Sequence, residues 1–260
     1  MALNAGDINH IEIYESVARY LCADNDKLRI APSFDTDKAS GTFTELVQNG
    51  INGNDFAFMM MESNAALRDE FNAAISAMKA DGTLDRLVKE QIDDLIDGGE
   101  IKPIALPHFD GAETIKVAVT GALPPMDYVA ADGTPSGFNT AVLAEIGNRI
   151  DKNIEIVVVD SISRATALAS GTVDAVFWTR TSSSSQKRAG MSESEREAEN
   201  AELEAGMTEE EISLIHELVK RIESSVYSSA DMPEGTIVTE PYFSDVLGPV
   251  MLIREATQSN

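Results

Sequence analysis

The chain has 260 residues, 43% of them hydrophobic, and a mean hydropathy of −0.12; these values fit a globular chain and exclude a wholly disordered or membrane-spanning one. Its 44 acidic side chains outweigh 20 basic ones, a net charge of −24. Such a field disfavours nucleic-acid backbones and anionic membranes as partners.

No apolar run reaches the roughly 18 residues of a spanning helix, so no membrane insertion of this chain is expected. Met1 is followed by ALNAGDINH, with neither a basic n-region nor an apolar h-region, so no signal peptide is visible. Val17–Cys22 reads as helix, and Cys22, the chain's one cysteine, as a small buried hydrophobe. Leu67, Phe71, Ala74, Ile75 and Met78 share a helical face, continued by Leu84, Leu87, Val88 and Ile92. Asn64 is the expected N-cap, and Asp81-Gly82 the break between two helices.

A different rhythm starts at Ile115. IKVAV is a β-rich run closed by Thr120-Gly121, Pro124-Pro125 force an extended turn, and Asp132-Gly133 signals another. Phe138, Val142, Leu143, Ile146 and Ile150 then recur at helical spacing, with Asn139 or Thr140 available near the helix start. IEIVVVD reads as a second strand, SRATALASG as a short helix ending at Gly171, and VDAVFW as a third strand. Strand, helix, strand, helix, strand predicts a parallel sheet with helical crossovers, hence an α/β fold. Ligands of such sheets settle at the carboxyl ends of the strands. Trp178, the chain's only tryptophan, ends the third strand and is a candidate stacking wall.

TSSSSQKRAG leaves that strand as a flexible entry to an acidic stretch. From Met191 to Glu223 eleven Glu face only Arg196, Lys220 and Arg221. Thr208 to Glu211 reads as a capping box, and Ile212, Ile215, Leu218, Val219 and Ile222 as an amphipathic stripe. The expectation is an inserted surface helix with a solvated acidic face; the sharper alternative is a docking helix for a membrane component or regulator. His10, His108 and His216 are scattered, so no metal constellation is indicated. No nucleophile elbow, P-loop or dinucleotide fingerprint occurs, so neither an enzyme nor a cofactor is expected.

As an ordered set, several of these pieces resemble the family 3 extracellular solute-binding proteins, which have the type 2 periplasmic-binding fold and serve ABC importers. They are Pro124, Pro125 and Tyr128, then Asp132-Gly133, Gly137-Phe138, and Leu168, Gly171, Asp174 and Ala175. TEPYFSDVLGPVMLI (Thr239 to Ile253) is similar to the family's next landmark, which enters the inter-lobe strand. ALNAGDINHIEIYESVARYL resembles the later part of a second lobe, and FAFMMM with the helices through Ile92 resembles the family's carboxy-terminal closure. The family's last parts thus come first here. Two arrangements fit that order: a piece of a tandem protein, or an effectively permuted module.

The resemblance implies a type 2 periplasmic-binding-like α/β fold, a parallel-rich sheet flanked by helices, with its second lobe incomplete. Its expected divisions are 1–62 (partial second lobe and hinge strand), 63–97 (closure helices), 98–114 (linker) and 115–255 (first lobe, with the acidic insertion at about 182–235). It also implies non-catalytic binding of a small polar solute, amino-acid-like or carboxylated, an ABC permease as partner and an extracytoplasmic location. The alternatives are a ligand-sensing module of a signalling protein and a degenerate chain with no ligand. Lobe closure would pivot near Ala57–Met60 and Val250–Ile253.

In an amino-acid-binding member an Arg grips the ligand carboxylate and an acid accepts its ammonium. The corresponding candidates are Asp127 for a cation, Tyr128 and Trp178 for stacking, and Thr179 and Arg180 after the third strand. Ser183 to Gln186 occupies the family's Thr-x-x-Arg stretch, which leaves Arg188 as a second clamp. Arg164 is a further cleft candidate. Tyr14 falls where the ammonium-binding Asp is usual, with Glu15 beside it.

Overall fold

The computed structural model describes residues 10–32, 53–101, 103–130, 133–179, 191–216 and 233–254. Its framework is the predicted parallel triplet. Strand β4 (Thr114–Val119) pairs in parallel with β8 (Asn153–Val158) along its whole length, from Thr114↔Asn153 to Val119↔Val158. On its other side β4 pairs in parallel with β9 (Ala175–Thr179) at Val117↔Ala175 and Ala118↔Val176. Helix α4 (Phe138–Arg149) crosses from β4 to β8, and α5 (Arg164–Ala169) from β8 to β9. A three-stranded hairpin stands between β4 and α4: β5 (Ala122–Leu123), β6 (Asp127–Val129) and β7 (Pro135–Ser136).

The sheet continues antiparallel through β3 (Gly53–Met61), with Phe56↔Thr179 and Met60↔Ala175. Two later strands share the far edge of β3. β10 (Thr236–Val238) pairs with Met59–Met61, and the first residues of β11 (Phe243–Arg254) pair with Gly53–Phe56. The rest of β11 runs on between β1 (His10–Tyr14) and β2 (Leu28–Pro32), both antiparallel to it. Its pairing jumps from Tyr14↔Leu247 to Glu12↔Met251, a bulge that absorbs Gly248-Pro249, since proline cannot donate to the ladder. Helix α1 (Glu15–Asp24) joins β1 to β2 and exceeds the expected Val17–Cys22 at both ends.

The helices between β3 and β4 lie on this sheet. α2 (Ala65–Ala80) buries Leu67, Phe71, Ala74, Ile75 and Met78, the face its 3.6-residue period predicts. Asn64 precedes α2 without capping it: its side chain makes no cap hydrogen bond, and a 3-10 turn over Glu62–Asn64 leads the chain in. Gly82 (φ 77°) makes the break, and α3 (Thr83–Val88) passes through a π turn at Lys89–Asp93 into a last turn at Asp94–Ile96. One apolar core unites α2 and α3 with the sheet and α4: Phe58, Phe71, Ile75, Met78, Val117, Phe138, Val142 and Phe177 belong to it. The opposite face carries a smaller cluster of Met59, Ala118, Leu168, Val173 and Val176 beside α5.

The stretch expected as a linker packs too. Ile104 and Leu106 lie against the main core, and a Cβ at Gly147 of α4 would come within 2.6 Å of Pro107 Cγ. Asn153 holds the same stretch from the start of β8, accepting from Phe109 N at 2.7 Å and donating to Phe109 O at 3.1 Å.

In the acidic region, helix α6 (Glu193–Glu204) starts at a capping box of Ser192 and Glu195. The expected Thr208–Glu211 box also forms: Glu211 Oε2 accepts from Thr208 N at 2.7 Å, and Thr208 Oγ1 from Glu211 N at 3.3 Å. It opens the helical residues 209–216, in which Ile215 is buried. Leu218, Val219 and Ile222 lie outside the described residues. No helix of the described residues is long and apolar enough to cross a membrane.

Candidate functional site

The carboxyl ends of β4, β8 and β9 lie side by side, and the hairpin after β4 builds their rim. Gly137 fixes where α4 begins. Its φ is 100°, and a Cβ there would come within 2.7 Å of Met126 O and 2.8 Å of Pro125 O, so no other residue fits without a shift. Those carbonyls instead accept the first amides of α4, Phe138 N at 3.0 Å and Asn139 N at 2.8 Å. Neither Asn139 nor Thr140 caps the helix as expected; both are buried.

Asp127, 4% exposed, directs both carboxylate oxygens into the lobe. Oδ1 accepts from Thr120 Oγ1 at 2.6 Å and Gly121 N at 2.7 Å, and Oδ2 from Asn139 Nδ2 at 3.4 Å. Asn139 Oδ1 in turn accepts from Tyr242 Oη at 3.0 Å. Tyr242 stacks on Phe58 at 4.9 Å; burial first, and then the Asp127 charge, push its pKa well above the ordinary phenol value. This relay ties the segment entering β11 to the loop that closes β4.

Tyr128, next along β6, points the other way, because successive residues of a strand alternate. Its hydroxyl is buried and has no partner among the described residues. Burial raises its pKa, with a further contribution from Tyr20 of α1.

The amino-terminal elements meet this rim. The Tyr14 ring packs on Phe56 at 5.2 Å, and Phe56 is the register partner of Thr179. Trp178 pairs with Ala57; the side chains of Trp178 and Thr179, and all of Arg180 and Arg188, lie outside the described residues. Glu15 opens α1. In the next position Ser16 gives its amide (3.2 Å) and hydroxyl (2.5 Å) to buried Asp245 Oδ2, and its hydroxyl lies 3.7 Å from Met126 Sδ. A carboxylate on the first turn of a helix is favourably placed. Arg164 opens α5 and donates through Nη1 to Phe177 O at 3.0 Å, which holds its guanidinium against the middle of β9.

Tyr14 therefore packs beside the register partner of Thr179, Arg164 reaches the Phe177 carbonyl in the middle of β9, and the Asp127–Tyr128 hairpin follows the end of β4. Sequence reasoning missed Thr120, Asn139, Tyr242, Ser16 and Asp245. The available signal was polar side chains amid apolar runs. Among the described residues no three His, Cys, Asp or Glu side chains gather as a metal site.

Residues 115–199, about a third of the chain, match the family of bacterial extracellular solute-binding proteins, family 3. That segment holds β4, the hairpin, α4, β8, α5 and β9, so the resemblance read from its residues and the family match fall on the same elements. No curated protein matches the chain. Solved structures similar to it include NikA from Staphylococcus aureus in complex with Ni(L-His)2 (14% identity, TM-score 0.39, covering 97% of this chain and 54% of that one). The PBP AgaA from A. tumefaciens R10, in complex with agropinic acid, shares 11% identity at a TM-score of 0.41 and covers 98% and 52%. The oligopeptide-binding protein AppA from Bacillus subtilis, in complex with a nonapeptide, shares 13% at 0.37 and covers 98% and 53%. The chain thus spans about half the length of the solved structures it matches.

Proposed function

We propose that the chain binds a small polar solute, amino-acid-like or carboxylated, and acts without catalysis as a recognition component for an ABC-type importer in an extracytoplasmic compartment. One observation carries this reading. In a segment that matches the family 3 model, Arg164 of α5 reaches the Phe177 carbonyl of β9, the hairpin after β4 carries a buried Tyr128 hydroxyl with no partner among the described residues, and Met126 of that hairpin meets Ser16 in the first turn of α1.

Each group has a definite task in this proposal. Arg164 and Arg180 grip the solute's anionic group, in the planar fork that suits a carboxylate. The Trp178 indole forms a stacking wall, Thr179 donates a hydroxyl, and Glu15 beside Tyr14 accepts an ammonium. Tyr128 hydrogen-bonds the solute, relieving a polar atom that is buried without a partner among the described residues. Asp127 holds the rim in shape through Thr120 and Gly121. Closure works through β3 and β11, the strands shared by the two parts of the sheet.

The test is calorimetry and thermal shift of the full chain against an amino-acid and organic-acid panel. A solute at a hundredfold excess over its Kd stabilises the fold by about 2.7 kcal/mol. Trp178→Ala and Arg164→Ala should each weaken binding while the unliganded protein stays folded. A monodisperse, folded sample that responds to no compound would refute the proposal.

A further inference from the structure

Three buried polar side chains form a hydrogen-bonded chain from the start of β11 to the carboxyl end of β4: Tyr242 (4% exposed), Asn139 (2%) and Asp127 (4%). The sheet holds the first of them. Tyr242 N donates to Phe56 O of β3 at 2.9 Å, and its ring stacks on Phe58, so the phenol moves with the paired strands β3 and β11. Asn139 lies in the first turn of α4, where its backbone amide is committed to Met126 O at 2.8 Å. Asp127 grips the turn after β4 through Thr120 Oγ1 and Gly121 N.

The chemistry gives this chain one direction. A carboxylate only accepts, so Asn139 turns Nδ2 toward Asp127. Its Oδ1 then needs a donor, and the Tyr242 hydroxyl, 3.0 Å away, is that donor. Without the hydroxyl a buried carbonyl oxygen loses its partner, and the amide must turn or shift to recover one. The link from Asn139 to Asp127 is the longest of the set, 3.4 Å. A small displacement therefore breaks contact there first. Gly121 O in turn accepts from Val129 N at 3.1 Å, so a turn that shifts carries β6 with it.

We infer that Tyr242 is a positioning residue for the rim: through Asn139 it orients the Asp127 carboxylate, and so passes the placement of β3 and β11 to the Thr120–Gly121 turn. The rim's shape is then conditional on the two strands that the parts of the sheet share. This coupling belongs to the unliganded chain and stands or falls independently of what the rim binds.

Two-dimensional nitrogen-15 NMR of the full chain without ligand tests it. Tyr242→Phe keeps the ring and its stacking and loses only the hydroxyl; Asn139→Ala removes the middle link. In each variant the Gly121 amide proton should move upfield, as its bond to the carboxylate lengthens, and its temperature dependence should steepen. The Lys152 amide, bonded to Gly147 O beyond the far end of α4, should stay in place. The double variant should move Gly121 no further than the larger single change, because both act through one path. A Gly121 amide unmoved in the single variants would overturn the coupling. So would changes that add in the double variant, or a Lys152 shift as large as that of Gly121, which would mean general loosening. If one single variant does not fold, the other decides alone.

Discussion

Phe71→Ala tests the packing on which the architecture depends. Phe71 sits on α2, fully buried, and meets Phe58 of the central strand β3 edge-on at 5.3 Å. Truncation removes about 1.5–3 kcal/mol of apolar burial and an aromatic pair worth about 0.5–1.5 kcal/mol beyond its area. The cavity left behind is lined by side chains of α2, α4 and the sheet, which cannot all relax into it, so the total falls in the range of about 3–5 kcal/mol. At roughly 2–4 °C per kcal/mol for a chain near this size, the melting temperature should drop by about 6–20 °C. Scanning calorimetry and urea unfolding followed by Trp178 fluorescence would measure it, with exposed Ala77→Ser on the same helix as a control expected within about 0.5 kcal/mol. A Phe71→Ala loss under about 1 kcal/mol would mean that α2 does not pack on the β3 sheet. So would a separate early transition that leaves the main one unmoved. Either result would refute the single core.

Four more outcomes follow from the same contacts. Ser16→Ala and Asp245→Asn should speed amide exchange across Glu15–Asp24 while β4 amides keep their protection; unchanged exchange in both would remove the Ser16–Asp245 contact as the tie that holds α1. Asp81, hydrogen-bonded by Thr83 and then by Arg149, has its pKa lowered from 3.8 to about 2. Its stabilising effect is therefore present above the ordinary value and fades as pH falls toward 2, and Arg149→Gln should move its NMR titration upward. The fold favours the neutral Tyr242 phenol, so stability should decline as pH rises past the ordinary phenol pKa of 10.0; Tyr242→Phe should lessen that alkaline decline and cost about 1 kcal/mol near neutrality. Finally, a net charge of −24 repels itself over a screening length of about 30 Å at 0.01 M salt and about 3 Å at 1 M. The melting temperature should thus climb with potassium chloride, and a flat or falling curve would contradict this.

How far these features could be read from residues alone depended on whether the signal was local. β4, β8 and β9 were legible because short apolar runs bounded by glycine and proline have few other fates. α2 was legible because its apolar period spans more than three turns. Helix α6 was legible only as part of an acidic helix-forming stretch: ESEREAENAELE has no apolar stripe, and its start is marked by the Ser192–Glu195 capping box. The length of β11 was hidden by Gly248-Pro249, which would end most strands but here sit in a bulge. At the rim, Tyr128 and Arg164 drew notice through their places beside turns and strand ends. Asn139, by contrast, looked like a helix-start residue, and only the folded chain gives it Tyr242, more than a hundred positions away, as a partner.

The sharing of β11 has a consequence for how the protein is made. β1 and β2 leave the ribosome well before the strand they pair with, through His10↔Ile253 and Pro32↔Val250. At about 5–20 residues per second the two strands wait roughly 10–40 s for it. During that interval their unpaired edges are open to other chains, and a holding chaperone would shield them.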